Sequence, residues 1–145
     1  MSEQSQYETI QYEQASSMIR VQGILSIIFG AMGAVGALFL FTIANLSTYL
    51  DPTFTDEDYI GVSIMTLLGF VFFFLPHVYL IISGSYLLKH PEPKTAKVLV
   101  IITTVIAAIW NLVILIFAII NLVQISDYAR GYKKLRPAHH TPKAA

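Results

Sequence analysis

Residues 98–123 read VLVIITTVIAAIWNLVILIFAIINLV, a run with no charge and only Thr103, Thr104, Asn111, Asn121 and the single indole donor of Trp110 to interrupt it. A helix of a soluble protein must turn a polar face to water. Four scattered polar side chains do not make one, so this run is a membrane segment.

Two similar stretches precede it. Arg20 and Asp51 bracket an uncharged window from Val21 to Leu50, and Asp58 and Lys89 bracket a second from Tyr59 to Leu88. The third lies between Lys97 and Asp127. The windows are 30, 30 and 29 residues long. At about 1.5 Å per residue, about 20 apolar residues cross the roughly 30 Å hydrocarbon core. Each window is long enough for one crossing, and two legs of about 15 residues would be too short. The expectation is an all-α integral membrane protein with three transmembrane helices in an antiparallel bundle, over about 18–48, 57–89 and 94–130. Residues 1–19 read as a polar, acidic N-terminal tail, 20–133 as the membrane domain and 134–145 as a basic, disordered C-terminal tail.

Composition agrees. Charged residues make up 12% of the 145-residue chain and apolar ones 55%, against about 25% charged in a soluble domain. With no cysteine there is no disulfide or thiolate chemistry. A formal net charge of zero gives no reason to expect nucleic acid as a partner. The first nineteen residues lack the basic start of a cleaved signal peptide, so the first helix reads as an uncleaved anchor.

Local signals set the helix ends. Asp51 and Pro52 stop the first helix, and Thr55 with Asp58 three residues later makes a capping-type start for the second. Pro76 removes a backbone donor inside the second helix and predicts a kink that frees the carbonyl near Phe72. The loop Lys89–Lys94 allows only an antiparallel return. Tyr49, Tyr59, Tyr86, Tyr128 and Tyr132 fall near helix ends, where an aromatic belt belongs.

Orientation is balanced under this topology. The N-terminal side would carry Arg20, Lys89, Lys94 and Lys97, and the other side Arg130, Lys133, Lys134, Arg136 and Lys143, four against five. The first loop has no basic residue and favours a cytoplasmic N-terminus. The cluster at 130–136 resembles an anionic-lipid contact, which would place the C-terminus inside instead. The expectation is a multi-pass protein of the cell membrane with a cytoplasmic N-terminus.

Gly23, Ser26, Gly30, Gly33 and Ala37 recur at intervals of three and four on the first helix. Small side chains let backbones approach closely, and in lipid that van der Waals contact binds helices. The partner is another helix of the chain or a second copy. Thr104, Ala107, Asn111, Ile114, Ala118 and Asn121 form a similar seam on the third helix. Asn111, mid-window, and His77, beside Pro76, are the intramembrane polar candidates. Each reads either as a ligand or proton contact or as a hydrogen-bonded structural group. No catalytic, metal-binding or cofactor-binding residue set is present.

The segment Tyr79–Leu88, YLIISGSYLL, followed by a basic, proline-containing loop and Ala96–Ile102, AKVLVII, is similar to a pattern in small uncharacterised prokaryotic multi-span membrane proteins. Gly23–Gly30, GILSIIFG, looks like their first span. The loop tryptophan and the Pro-Gly break of their last span are missing here. The resemblance implies a multi-span fold and no particular activity.

The functional expectation is a structural or accessory subunit acting through helix–helix packing in the lipid bilayer, partnered by further copies or a larger membrane complex. The alternative is an oligomeric channel or transporter component with a polar path near Asn111 and His77. An enzyme is not expected.

Overall fold

The computed structural model describes residues 3–53 and 55–135. Among them the secondary structure is all helix, joined by short turns, with no strand. Helix α1 spans Glu3–Leu50, α2 Asp56–Gly69, α3 Leu75–Leu88, α4 Pro93–Trp110 and α5 Leu112–Leu135; a π-helical turn, Phe70–Phe74, joins α2 to α3. Four helical segments are long and apolar enough to cross a membrane: α1, the continuous α2–α3 rod, α4 and α5.

This corrects the three-helix expectation. The third window is two helices, because Asn111 leaves the helical region (φ −153°, ψ 100°) and folds α5 back along α4. Asn111 serves both helix ends. Its N–H donates to the Ala107 carbonyl at 2.9 Å, and its own carbonyl accepts from the Leu115 N–H at 3.0 Å. Its Oδ1 accepts from the Ile114 N–H at 3.0 Å, an N-cap that satisfies a donor otherwise orphaned in an apolar medium. The legs reach their lengths by including polar flanks, residues 93–97 on α4 and 127–135 on α5, which a count of uncharged residues leaves out.

The polar segment at the N-terminus is helical from Glu3 and continuous with α1. The basic C-terminal tail beyond residue 135, with His139 and His140, lies outside the described residues.

Two compact units divide the chain. The first combines α1 up to Ile24 with residues from Ser85 onward, and the second runs from Leu25 to Gly84.

In the first unit α4 and α5 are antiparallel. The Tyr128 hydroxyl at one end of the hairpin donates to the Pro91 carbonyl at 2.8 Å. Ala15, Ile19, Leu87, Ala96, Val100, Ala118 and Tyr128 form its core. Four of these are alanine or valine, which lets the helices approach closely. Tyr12 stacks on Tyr128 with centroids 5.7 Å apart, and a Cβ at Gly131 would collide with the Tyr12 ring. His90 ends α3 in the left-handed region (φ 50°), a conformation histidine visits more than most residues, and its Nδ1 is hydrogen-bonded to the Ser16 hydroxyl at 3.2 Å.

In the second unit α1 runs antiparallel to α2 and α3. Tyr49 stacks on Tyr59 (5.8 Å) and Phe41 meets Phe70 (6.2 Å). Thr55 and Asp58 form a reciprocal capping box at the start of α2. In the preceding turn the Thr53 hydroxyl and N–H both donate to Asp51 Oδ1 (2.7 and 2.9 Å), holding that carboxyl below its ordinary range.

Candidate functional site

Three polar places lie within the apolar helices. The first is His77. Pro76 would press its ring against the Phe72 carbonyl in a regular α-helix. The π turn over Phe70–Phe74 absorbs that misfit one turn upstream, as such bulges do. The carbonyl that His77 meets is therefore Phe73, not Phe72, with Nδ1 at 2.5 Å. Its ring lies over the glycine seam of α1, where a Cβ at Gly33 would run into the ring's Cδ2 and Nε2. A Cβ at Gly30 would sit 2.8 Å from the His77 carbonyl oxygen and 3.0 Å from the Ile81 nitrogen. Gly30 and Gly33 thus bring α1 onto α3 of the same chain. Ser26 and Ala37 on that seam are buried, while Gly36 beside it has no neighbour within 4 Å of a built Cβ.

The second place is Asn111, which belongs to the first unit, as Gly23 does, whereas His77 belongs to the second. Its carboxamide oxygen is committed to the hairpin turn. Trp110, at the centre of the uncharged window by sequence, lies beside that turn and so at a helix end.

The third is a cluster that the sequence reading only half located. Asn121 and Gln22 are fully buried in the first unit. Asn121 Nδ2 donates to Gln22 Oε1 at 2.5 Å and to the Met18 carbonyl at 3.2 Å, tying α5 to α1. Gln22 Nε2, Asn121 Oδ1, Gln124 Oε1 and Thr103 Oγ1 are buried with no partner among the described residues. Met18, Gln22, Ser26 and Gly30 are spaced by four, so Gln22 lies on the small-residue stripe already evident in α1. Chemically the cluster supplies neutral donors and acceptors and no group that titrates near neutrality.

The amide pair gives a clear stability prediction. Replacing Asn121 by leucine strands Gln22 Oε1 as well, and the expected loss is about 1–3 kcal/mol. Replacing both residues by leucine should recover most of that loss. Thermal unfolding in detergent of the two single variants and the double variant measures the coupling; a double variant as unstable as the sum of the singles would show the pair to be unimportant.

Among the described residues no three of His, Cys, Asp and Glu are grouped to hold a metal ion. Comparison with known proteins finds no matching family model, no matching curated protein and no matching solved structure.

Proposed function

We propose that the chain is a multi-pass protein of the cell membrane, with both termini cytoplasmic, that serves as a structural or accessory subunit through its helix surfaces. The observation that carries the topology is the turn at Asn111. With α5 returning along α4, the N-terminus, the loop after α3 and the C-terminus share one side. All nine lysines and arginines of the chain then lie on that side, and the loop 51–55 has none. Basic residues flanking spans are retained in the cytoplasm, so a balance of four against five becomes nine against zero. The count is the same whether the hairpin crosses the bilayer fully or turns within it.

The role rests on how polarity is distributed. His77, Asn111 and Asn121 hydrogen-bond to their own chain. Outward surfaces carry Met32, Val35, Phe39 and Leu40 on α1 and Met65, Leu67 and Phe72 along the α2–α3 rod, all exposed. Such a surface offers packing to lipid or to another apolar helix and offers a polar solute nothing to bind. A channel component, with Asn111 and His77 on a polar path, is the less supported reading because both side chains are committed to nearby backbone. No catalytic step belongs to either reading.

The absence of cysteine makes topology simple to test. Thr53→Cys should react with a membrane-impermeant maleimide on intact cells, and Thr95→Cys should react only after lysis. Labelling of Thr95→Cys in intact cells would reverse the orientation. For the role, extraction from native membranes in mild detergent should give a discrete complex well above the 16.2 kDa of one chain. A detergent-corrected mass of one chain would remove the subunit reading. Conductance in liposomes that disappears in Asn111→Leu would establish the channel instead.

A further inference from the structure

Where α1 and α5 emerge together, Glu8 and Gln11 on one and Asp127, Arg130 and Lys134 on the other line an open crevice of about 510 Å³. Asp127 is the first charged residue after the 29-residue uncharged window. Charged side chains near the end of a span reach out to the interface, so the crevice opens at headgroup level. Its four charged groups form two pairs of opposite sign. Lys134 Nζ reaches the Glu8 carboxylate across the crevice, and Arg130 lies 3.4 Å from Asp127 along α5. The basic side chains are 61% and 65% exposed and both carboxylates 30%. The bases therefore stand at the rim and the acids deeper.

The geometry points to a binding site for a phosphoryl–primary-ammonium zwitterion, the headgroup chemistry of phosphatidylethanolamine. Exposed ion pairs are weak and exchange partners readily. A phosphate meets the guanidinium fork of Arg130 and the ammonium of Lys134, a donor set well matched to phosphate oxygens. A primary ammonium donates N–H bonds to the carboxylates of Asp127 and Glu8, which the phosphate has released from their own partners. The ligand replaces two internal pairs with pairs of the same sign pattern, and no charge is left alone.

Selectivity follows from the same groups. A headgroup with net negative charge and no amine answers the two bases and leaves the two acids unmatched. A quaternary choline has no N–H to donate and is normally recognised on aromatic faces, and none of the residues lining this crevice is aromatic. The inference rests on the membrane placement proposed above, with this end of α1 and α5 at the interface, but not on the subunit role.

Native mass spectrometry of the full chain in mild detergent tests it, with dioctanoyl phosphatidylethanolamine, phosphatidylcholine and phosphatidylglycerol as probes and soluble phosphoethanolamine as a fourth. The ethanolamine lipid should be retained at about tenfold lower concentration than either other lipid. Asp127→Asn should erase its preference over phosphatidylglycerol, and Arg130→Gln should weaken its retention about tenfold. If Arg130→Gln does not stay monodisperse, the altered ranking in Asp127→Asn is sufficient. Equal retention of the three lipids, or preference for phosphatidylglycerol in the unaltered chain, would overturn the proposal. Phosphoethanolamine binding as tightly as the lipid would keep the zwitterion site but assign it a soluble ligand, which also separates it from the membrane placement.

Discussion

Leucine at Gly30 is expected to abolish the folded protein, while leucine at Gly36, six residues along the same helix, leaves it intact. The two glycines differ in what a side chain would meet. At Gly30 the first atoms are the His77 carbonyl oxygen at 2.8 Å, Ile81 Cγ1 at 2.9 Å and the Ile81 amide nitrogen at 3.0 Å, two of the three backbone. A flexible side chain can move aside; a helix backbone in contact cannot without separating from α1. Overpacking a well-packed site costs about 1–3 kcal/mol, and a whole leucine against backbone lies at or beyond the top of that range. In lipid no hydrophobic force between the helices offsets it, because tails solvate leucine as well as a neighbouring helix does. At Gly36 a built Cβ has nothing within 4 Å, so leucine there should change unfolding by no more than about 0.5 kcal/mol. Size-exclusion profiles and thermal unfolding of both variants in one detergent decide this. A monodisperse Gly30→Leu protein with wild-type unfolding would show that α1 and α3 do not pack as described. Gly33 falls between the two, since its obstacle is the His77 ring. Gly33→Ala should be rescued in part by His77→Ala.

The pair also changes what glycine variants can say about assembly. A glycine seam read from sequence could serve a second copy of the chain or a helix of its own. Gly30 and Gly33 lie against α3 of the same chain, so loss of an oligomer in either variant would report misfolding rather than a broken subunit contact. Gly36→Leu keeps the internal pair and is the variant whose assembly state is informative.

The run of long apolar helices, the capping box at Thr55 and Asp58, the disturbance before Pro76 and the close approach at Gly30 and Gly33 were all legible from the chain. Each rests on short-range chemistry: a run without charge, a side chain three residues from a donor, a missing N–H, a missing Cβ. The fold-back at Asn111 was not. No glycine or proline marks it, and its neighbours Trp110 and Leu112 suit a helix interior. What favours the break lies far along the chain, in the packing of Ala96 and Val100 with Ala118 and Tyr128. The length criterion also misled, because it excluded Lys94, Lys97 and Asp127 from legs that contain them. Of the site residues, Asn121 was visible as a polar group on a packing face, but its partner Gln22 is 99 residues away in sequence. Nothing local in either helix specifies that pairing.

A series at Asn111 reads both the turn and its depth. Alanine removes the Oδ1 that accepts from the Ile114 N–H, and an N-cap lost in this way costs about 0.5–2 kcal/mol. Glycine, which tolerates the extended backbone and leaves the amide free for other partners, should cost only a few tenths of a kcal/mol. The end of α5 should stay on the side of the N-terminus in both, because the core between α4 and α5 does not involve residue 111. Aspartate is the discriminating member. It caps as well as asparagine, so at a tip bathed by headgroups or water it should match the wild type. A carboxylate held at the bilayer centre would instead cost about 2.5–3.5 kcal/mol on the insertion scale. The expected result is that aspartate is tolerated and alanine is not, since Trp110 beside the turn is the residue type that favours the interface. Unfolding in lipid nanodiscs at neutral pH gives the ranking directly. Aspartate ranking below alanine would place the turn inside the hydrocarbon and make α4 and α5 a re-entrant hairpin entered from the side of the N-terminus. Both termini would still share one side.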